Sequence, residues 1–379
     1  MPVKAAVAHG GGPTAVINAS LAGLTEECVR RGWRLLGARY GWTGLLRGGV
    51  IDLTALDAGL MSRIAEAPGS ALGSSRVPLA EDDYGRLFDF FRREDIHIFF
   101  YTGGNGSMET ALSVLRHARL ANHDLQVIGI PKTIDNDLCV TDHTPGYAST
   151  ARFFACAARD VGEDNRSLPS PICVLETLGR NAGWITAATA LARRSPGDAP
   201  HLIYLPERRV NLDGIAADTE RVYRELGRVV IAVCEGQLDE NGQPFGADVD
   251  RAKSAAERLA SNLGHTLARL LSAKLGLRAR AEKPGLLGRC CGDFAVPADR
   301  RDAFACGKAA AVAAADGCSG VMIALRHDST TFLTPLETVA RLERRLPADW
   351  IHPHGNDVLP PFLDYAGPLV GEVRNWPHL

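Results

Sequence analysis

Apolar, strand-like runs in this chain end repeatedly in polar or glycine-rich turns that open into helices, and this alternation confines the fold to parallel α/β. Lys4 to Ala8 leads into Gly10-Gly11-Gly12-Pro13-Thr14, with a helix predicted from near Ala15. Ile96 to Tyr101 leads into Thr102-Gly103-Gly104-Asn105-Gly106-Ser107, followed by a helical pattern from Met108 through Ala118. Glycine permits positive φ and close approach of backbone N–H groups to anionic oxygens, and a helix amino end adds partial positive charge. Each loop therefore reads as a phosphate cradle. Neither fits the Walker pattern or the dinucleotide fingerprint, and a tight βα turn has the same residues.

A third run separates these readings. Leu125 to Ile130 reads as a buried strand stopped by Pro131, after which come Lys132, Thr133, Ile134, Asp135, Asn136 and Asp137. In open α/β sheets ligands bind at the carboxyl ends of strands. Asp135 is placed to accept the proton of an attacking hydroxyl, Lys132 to neutralise phosphate charge, and Asp137 to orient the base or hold a metal. An Asx-rich turn is the bland alternative. Glycine cradles and an acid–base segment together favour a phosphate-handling site.

Further runs extend the pattern. Val229 to Cys234 is predicted as a buried strand with Glu235-Gly236 at its end, and Gly320 to Leu325 as another. Helices are expected over Ala252–Leu275 and from Arg300 through Ala315, and Asp239–Asp248 as a surface loop. The 379 residues suffice for two lobes, each with its own core. A net charge of −2, with no block of like charge, gives no basic footprint for nucleic acid. No charged and apolar leader and no run of membrane-spanning length are seen, so a cytoplasmic protein is expected. The nine cysteines then read as reduced thiols, Cys290-Cys291 as small residues of a buried strand, and His9 as a structural histidine bonded to a backbone carbonyl. No His and Cys spacing suggests zinc.

Taken in order, these segments resemble the phosphofructokinases, most closely the pyrophosphate-dependent branch. The resemblance runs nearly end to end, through Gly11 to Ala19, Leu72 to Arg76, Gly103 to Ser107, Pro131 to Asp137, Thr144 to Tyr147, Leu178 to Trp184, His201 to Glu207 and Gly355 to Val358. It implies two interleaved Rossmann-like lobes with mostly parallel sheets. The larger, donor-binding lobe would comprise 1–146 plus about 289–345, and the smaller, sugar-phosphate-binding lobe 147–288 plus about 346–379. It also implies a Mg²⁺-dependent transfer from ATP or pyrophosphate to the 1-hydroxyl of fructose 6-phosphate, or of a similar ketose phosphate. Asp135 matches the general base and Thr133 and Asp137 its hydrogen-bonding neighbours. Lys132 and Arg180 match catalytic cations. Gly11, Gly12, Arg76, Gly104, Asn105, Gly106 and Ser107 match the donor site. Leu178, Gly179 and Glu235 match the sugar wall, and Arg280 and Arg289 the grip on the sugar's own phosphate. In the family the Arg280 position reaches a neighbouring subunit, which implies a homo-oligomer.

Departures from the family pattern bear on donor and acceptor. Pyrophosphate users typically carry Asp at Gly106 and Lys at Lys132, and ATP users Gly at both. An Asp at 106 would stand where a nucleotide's α-phosphate passes, so Gly106 favours ATP slightly. Asn105 replaces the Asp that helps hold Mg²⁺ in ATP users; its amide supplies no charge, so metal binding there is expected to be weak, through water. Leu286 and Gly288 stand where polar side chains usually face the acceptor. These changes admit a phosphotransferase for a different ketose phosphate, or a metabolite-binding relative without catalysis, against which the intact Thr133, Asp135, Asp137 and Arg180 argue.

Overall fold

The computed structural model describes residues 2–168, 171–246 and 262–377. The chain divides into two compact units, Met1–Tyr147 with Arg289–Arg344, and Ala148–Gly288 with Arg345–Leu379. Among the described residues the strands are, in chain order, β1 (Lys4–His9), β2 (Arg34–Ala38), β3 (Val50–Asp52), β4 (Ile98–Gly103), β5 (Gln126–Pro131), β6 (Ile172–Thr177), β7 (Leu202–Tyr204), β8 (Val229–Cys234), β9 (Ala279–Glu282), β10 (Val321–Leu325) and β11 (Thr331–Pro335).

The first unit holds a seven-stranded sheet in the order β11-β10-β5-β4-β1-β2-β3. Its pairs are parallel except β2 with β3 and β10 with β11 at the edges. Side chains alternate between the two faces. Ala6, Ala8, Phe99, Tyr101 and Val127 pack in one core with residues of helices Glu81–Glu94 and Asn105–Leu120. Ala5, Val7, Ile98, Phe100, Ile128 and Ile130 pack in the other with residues of helices Ile17–Arg30 and Pro297–Ala315. Burial on both faces is why these strands read as continuous apolar runs rather than as alternation. The last two helices meet backbone to backbone: a Cβ on Gly23 would lie 2.1 Å from Phe304 O, and one on Gly307 1.9 Å from Ser20 O. Glycine on both helices thus joins segments about 280 residues apart.

From β1 the chain runs to β2 on one side and later to β4 on the other. The crevice outside β1 and β4 is therefore the topological switch point, where ligands bind in sheets of this kind. The second unit has an all-parallel sheet, β7-β8-β6-β9. Ile172, Val174, Ile231 and Val233 pack there with Leu267 and Leu271 of helix Leu263–Leu275. Its two sides diverge at β6, with β8 to one side and β9 to the other.

Some boundaries differ from the sequence reading. Ile96 belongs to the end of helix Glu81–Glu94, where Asp95 turns left-handed (φ 58°) and Ile96 N–H donates to Phe91 O at 2.8 Å, so β4 starts two residues later. Gly106 and Ser107 are not loop but the first turn of helix Asn105–Leu120, which Gly104 precedes. The Cys290-Cys291 pair is in no strand. A 3₁₀ turn over Gly285–Arg289 precedes it, packed through Gly288, whose Cβ would lie 2.6 Å from the Phe154 ring. All nine cysteines are unpaired. Of the helix expected over 252–275, residues 252–261 lie outside the described residues, as do 247–248 of the expected surface loop.

Candidate active site

The first glycine loop is set by contacts at the carboxyl end of β1. Gly10 N–H donates to Thr102 O (2.8 Å), Gly11 N–H to Ser75 O (2.9 Å), and Ser74 Oγ to Gly11 O (2.7 Å). Gly11 needs a left-handed backbone (φ 76°). Close approach explains two more glycines: Cβ atoms on Gly10 and Gly103 would come within 2.4 and 2.0 Å of Ser107 Oγ. The loop therefore lies against the amino end of helix Asn105–Leu120, the helix-terminal dipole that favours anions. Nothing lies within 4 Å of a Cβ placed on Gly106.

Lys132 is buried beneath this loop. Its backbone N–H donates to Gly103 O (3.0 Å), and its ammonium donates to Gly10 O (2.8 Å) and Gly12 O (2.7 Å). Burial, assisted by Arg76 and Arg289 and opposed by Asp135 and Asp137, lowers its pKa to about 8. Arg76 and Arg289 both approach Gly12. One loop thus gathers Gly11, Gly12, Arg76, Lys132, Arg289 and, through Gly10 and Gly103, the segment Gly104 to Ser107.

The acidic segment after β5 is held by its own return path. Asp135 N–H donates to Thr133 Oγ1 (3.1 Å). Asn136, buried and left-handed (φ 55°), accepts Thr144 N–H on Oδ1 (3.1 Å), and Thr144 Oγ1 donates to Thr133 O (3.0 Å). Gly146 N–H donates to Asp299 Oδ1 (2.8 Å). The Arg344 guanidinium donates to the carbonyls of Asn136, Thr141 and Asp142, and its backbone N–H to Asp137 O (2.8 Å). Asn136, Asp299 and Arg344 are supports the sequence reading missed. Thr144 and Gly146 were visible only as part of a motif.

Asn105 Nδ2 donates to Asp137 Oδ2 (2.8 Å), while its Oδ1 is buried without a hydrogen-bond partner. That neutral oxygen beside a carboxylate suits one edge of a magnesium shell. No cluster of three or more His, Cys, Asp or Glu groups suited to a metal occurs among the described residues, so donor phosphates would supply most of the ligands. His9 is fully buried, and its Nδ1 pairs with the Ser70 hydroxyl (2.8 Å) rather than with a carbonyl. Ser70 Oγ donates its proton to Gly73 O, so Nδ1 carries the imidazole proton. Burial, with Lys132 adding to it, lowers the His9 pKa to about 3 and keeps the ring neutral.

In the second unit the predicted wall stands at the carboxyl ends of β6 and β8. Leu178, Gly179 (φ 133°) and Arg180 (φ 50°) follow β6; Glu235 follows β8, its N–H bonded to Thr177 O (3.0 Å). A Cβ on Gly236 would lie 1.6 Å from Arg180 O, so only glycine fits there. Glu207 accepts Gly183 N–H (2.8 Å) and Leu346 N–H (3.0 Å), which anchors the far end of the Arg180 turn, and burial raises its pKa. Burial and then Glu176 raise the Glu235 pKa, against Arg180 and Lys283. Glu176 is buried, 2.8 Å from Lys283 Nζ. Arg280, on β9, lies 3.8 Å from Asp164 in the same unit, away from this turn in sequence.

A Phosphofructokinase family model matches residues 4–314. The chain belongs to the phosphofructokinase family. It is 38% identical to the pyrophosphate–fructose 6-phosphate 1-phosphotransferase of Rhodospirillum rubrum, over 97% of this chain and 94% of that protein. It is 30% identical to the sulfofructose kinase of Alkalicoccus urumqiensis, over 89% of this chain and 87% of that one. Among solved structures it resembles the pyrophosphate-dependent phosphofructokinase of Marinobacter aquaeolei, with TM-score 0.87, 30% identity, and coverage of 100% of this chain and 93% of that chain. The α/β architecture with mostly parallel sheets is the phosphofructokinase fold.

Proposed function

We propose that this protein is a phosphotransferase that moves a phosphoryl group to the 1-hydroxyl of fructose 6-phosphate. The observation that carries the reading is the gathering of the glycine loop, Lys132 and the Thr133–Asp137 segment at the carboxyl ends of β1, β4 and β5. Asp135 takes the proton of the attacking hydroxyl, with its segment fixed in advance by Thr133, Asn136 and Arg344. Arg76, Lys132 and Arg180 neutralise charge on the group in transit, and the loop around Gly11 together with the helix start at Asn105–Ser107 seats the donor. Magnesium, held by donor oxygens with Asn105 and Asp137 at its edge, would screen donor charge.

ATP is the donor favoured by Gly106, because the space beside it is open where an Asp would repel a nucleotide. Pyrophosphate is the second reading, supported by Lys132 and by the names of relatives such as that of Rhodospirillum rubrum. For the acceptor, Leu286 and Gly288 in the Arg289 segment, and a relative named sulfofructose kinase, support another anionic ketose as the alternative. Leu178, Gly179 and Glu235 would hold the sugar and Arg280 would serve a neighbouring subunit of a homo-oligomer. Nine unpaired cysteines support a cytoplasmic setting. The test is product formation from fructose 6-phosphate with Mg²⁺, in parallel with ATP and with pyrophosphate. Turnover with ATP alone supports the reading; turnover with pyrophosphate alone overturns the donor, and silence with both overturns the acceptor or the activity.

A further inference from the structure

The segment that carries Asp135 returns through 138–146 to the start of helix Tyr147–Ser167, and one residue of that return holds the segment closed. Thr144 N–H donates to Asn136 Oδ1 at 3.1 Å and its hydroxyl to Thr133 O at 3.0 Å, so Thr144 grips the chain on both sides of Asp135. Helix Pro297–Ala315 in turn grips the chain on both sides of Thr144. Its Asp299 and Asp302, three residues apart and so on one face, are both buried. Asp299 Oδ1 accepts Gly146 N–H at 2.8 Å, and Asp302 Oδ2 accepts the Nε2 proton of His143 at 2.9 Å. The His143 side chain is 3% exposed and its Nδ1 has no hydrogen-bond partner among the described residues, so the bond to Asp302 is the one that orients the ring.

A buried imidazole–carboxylate pair adds little net stability, because apolar side chains of similar volume fill the same space without loss of solvation. What it adds is direction. We propose that His143 and Asp302 are positioning residues for the base: the bond between them fixes Thr144, and through it Thr133 and Asn136, so that Asp135 is presented to the acceptor hydroxyl in one orientation. The inference rests on the phosphotransferase reading, in which Asp135 is the base. The backbone before His143 is fixed from the sheet. Thr141 Oγ1 donates to His143 O at 2.8 Å and accepts Leu325 N–H at 2.9 Å, and Asp142 N–H donates to Leu325 O at 2.9 Å, at the end of β10. Helix Pro297–Ala315 is fixed as well, seated backbone to backbone on helix Ile17–Arg30 through Gly23 and Gly307. Helix Ile17–Arg30 follows the first glycine loop, so the frame that carries the donor loop also carries the clamp on the base.

Steady-state kinetics and amide hydrogen exchange test this together. His143→Leu and Asp302→Leu should each lower kcat about tenfold to a hundredfold, as for a misplaced catalytic group, while the KM of donor and acceptor stays within about twofold. His143→Gln, whose amide nitrogen takes the place of Nε2, should recover most of the rate. The paired variant His143→Leu/Asp302→Leu strands no polar group, so it should keep the wild-type urea midpoint and still show the loss of kcat. In an Asp135→Ala background His143→Leu should change the remaining rate by less than about twofold, since the pair acts through Asp135. Losses that multiply in that background overturn the proposal, as does a normal kcat in the paired variant. Exchange reads the clamp without turnover, and the amides of 133–146 should exchange faster in the paired variant than in wild type. A wild type that transfers nothing to fructose 6-phosphate refutes the phosphotransferase reading, while faster exchange over 133–146 would still show the pair holding the segment. Unchanged exchange there removes His143 and Asp302 from any positioning role.

Discussion

The carboxyl ends of the two sheets are built from the same parts and carry opposite chemistry. In the first unit, strand ends pass into glycines that surround a buried ammonium, with Arg76 and Arg289 beside it. In the second, they pass into Leu178, Gly179 and Arg180 facing a set of carboxylates, where Glu207 and Glu235 are pushed toward the neutral form by burial. Glycine has different work in each. In the first unit, Gly12 leaves room for the Arg76 and Arg289 guanidinium groups and Gly106 leaves open space beside the helix start. In the second, Gly236 lets one backbone touch another, at Arg180 O. The same residue type thus leaves space open at one position, as at Gly106, and fits a close contact at another, as at Gly236, and only the surrounding atoms tell them apart.

The largest effect expected is at the proposed base. Asp135→Ala should lower kcat by about 10² to 10⁴ with little change in the denaturation midpoint, read by steady-state rates beside urea unfolding. Equal losses of activity and stability would make the segment a structural turn. Next comes the packing glycine: Gly236→Ala should cost about 3 kcal/mol or more, since its Cβ would meet backbone at 1.6 Å. Urea unfolding of that variant beside Gly106→Ala, whose Cβ meets nothing within 4 Å, tests the contrast directly; similar midpoints for the two would erase it.

Gly106→Asp should weaken ATP binding by about 1 to 4 kcal/mol, the repulsion of like charges roughly 4 Å apart, and spare pyrophosphate. An unchanged donor ratio would remove the argument for ATP.

The smallest effect is in pH. The Lys132 pKa in the folded protein, about 8, lies below the ordinary 10.5, so between those values the unfolded chain binds the extra proton. Its contribution to stability therefore rises with pH across that window, while donor affinity falls as the cation is lost. Lys132→Met should flatten both trends, and a donor affinity unchanged between pH 7 and 9.5 in the wild type would exclude Lys132 from the donor site.

Much of the fold was legible because sheet strands buried on both faces announce themselves as apolar runs; Val229–Cys234 was read with the bounds that β8 has. The start of β4 was not, because Ile96 is apolar in either role and its hydrogen bond to Phe91 O ends a helix. Residues whose chemistry is their own, Lys132 and Asp135, stood out at a strand end. Arg344 did not. It holds the acidic segment by donating to main-chain carbonyls across more than 200 positions, and a carbonyl has no letter in the sequence. The glycine contact between Gly23 and Phe304 is hidden for the same reason.

The crowding of Arg76, Lys132 and Arg289 around the glycine loop also sets how the protein responds to its solvent. An anion that binds among these cations and not to the unfolded chain stabilises the folded state by mass action. At inorganic phosphate or sulfate a hundredfold above the dissociation constant the gain is about 2.7 kcal/mol. With such an anion present, a melting temperature is a property of the protein and its buffer together, and under the proposed donor assignment the same anion would compete in a donor titration.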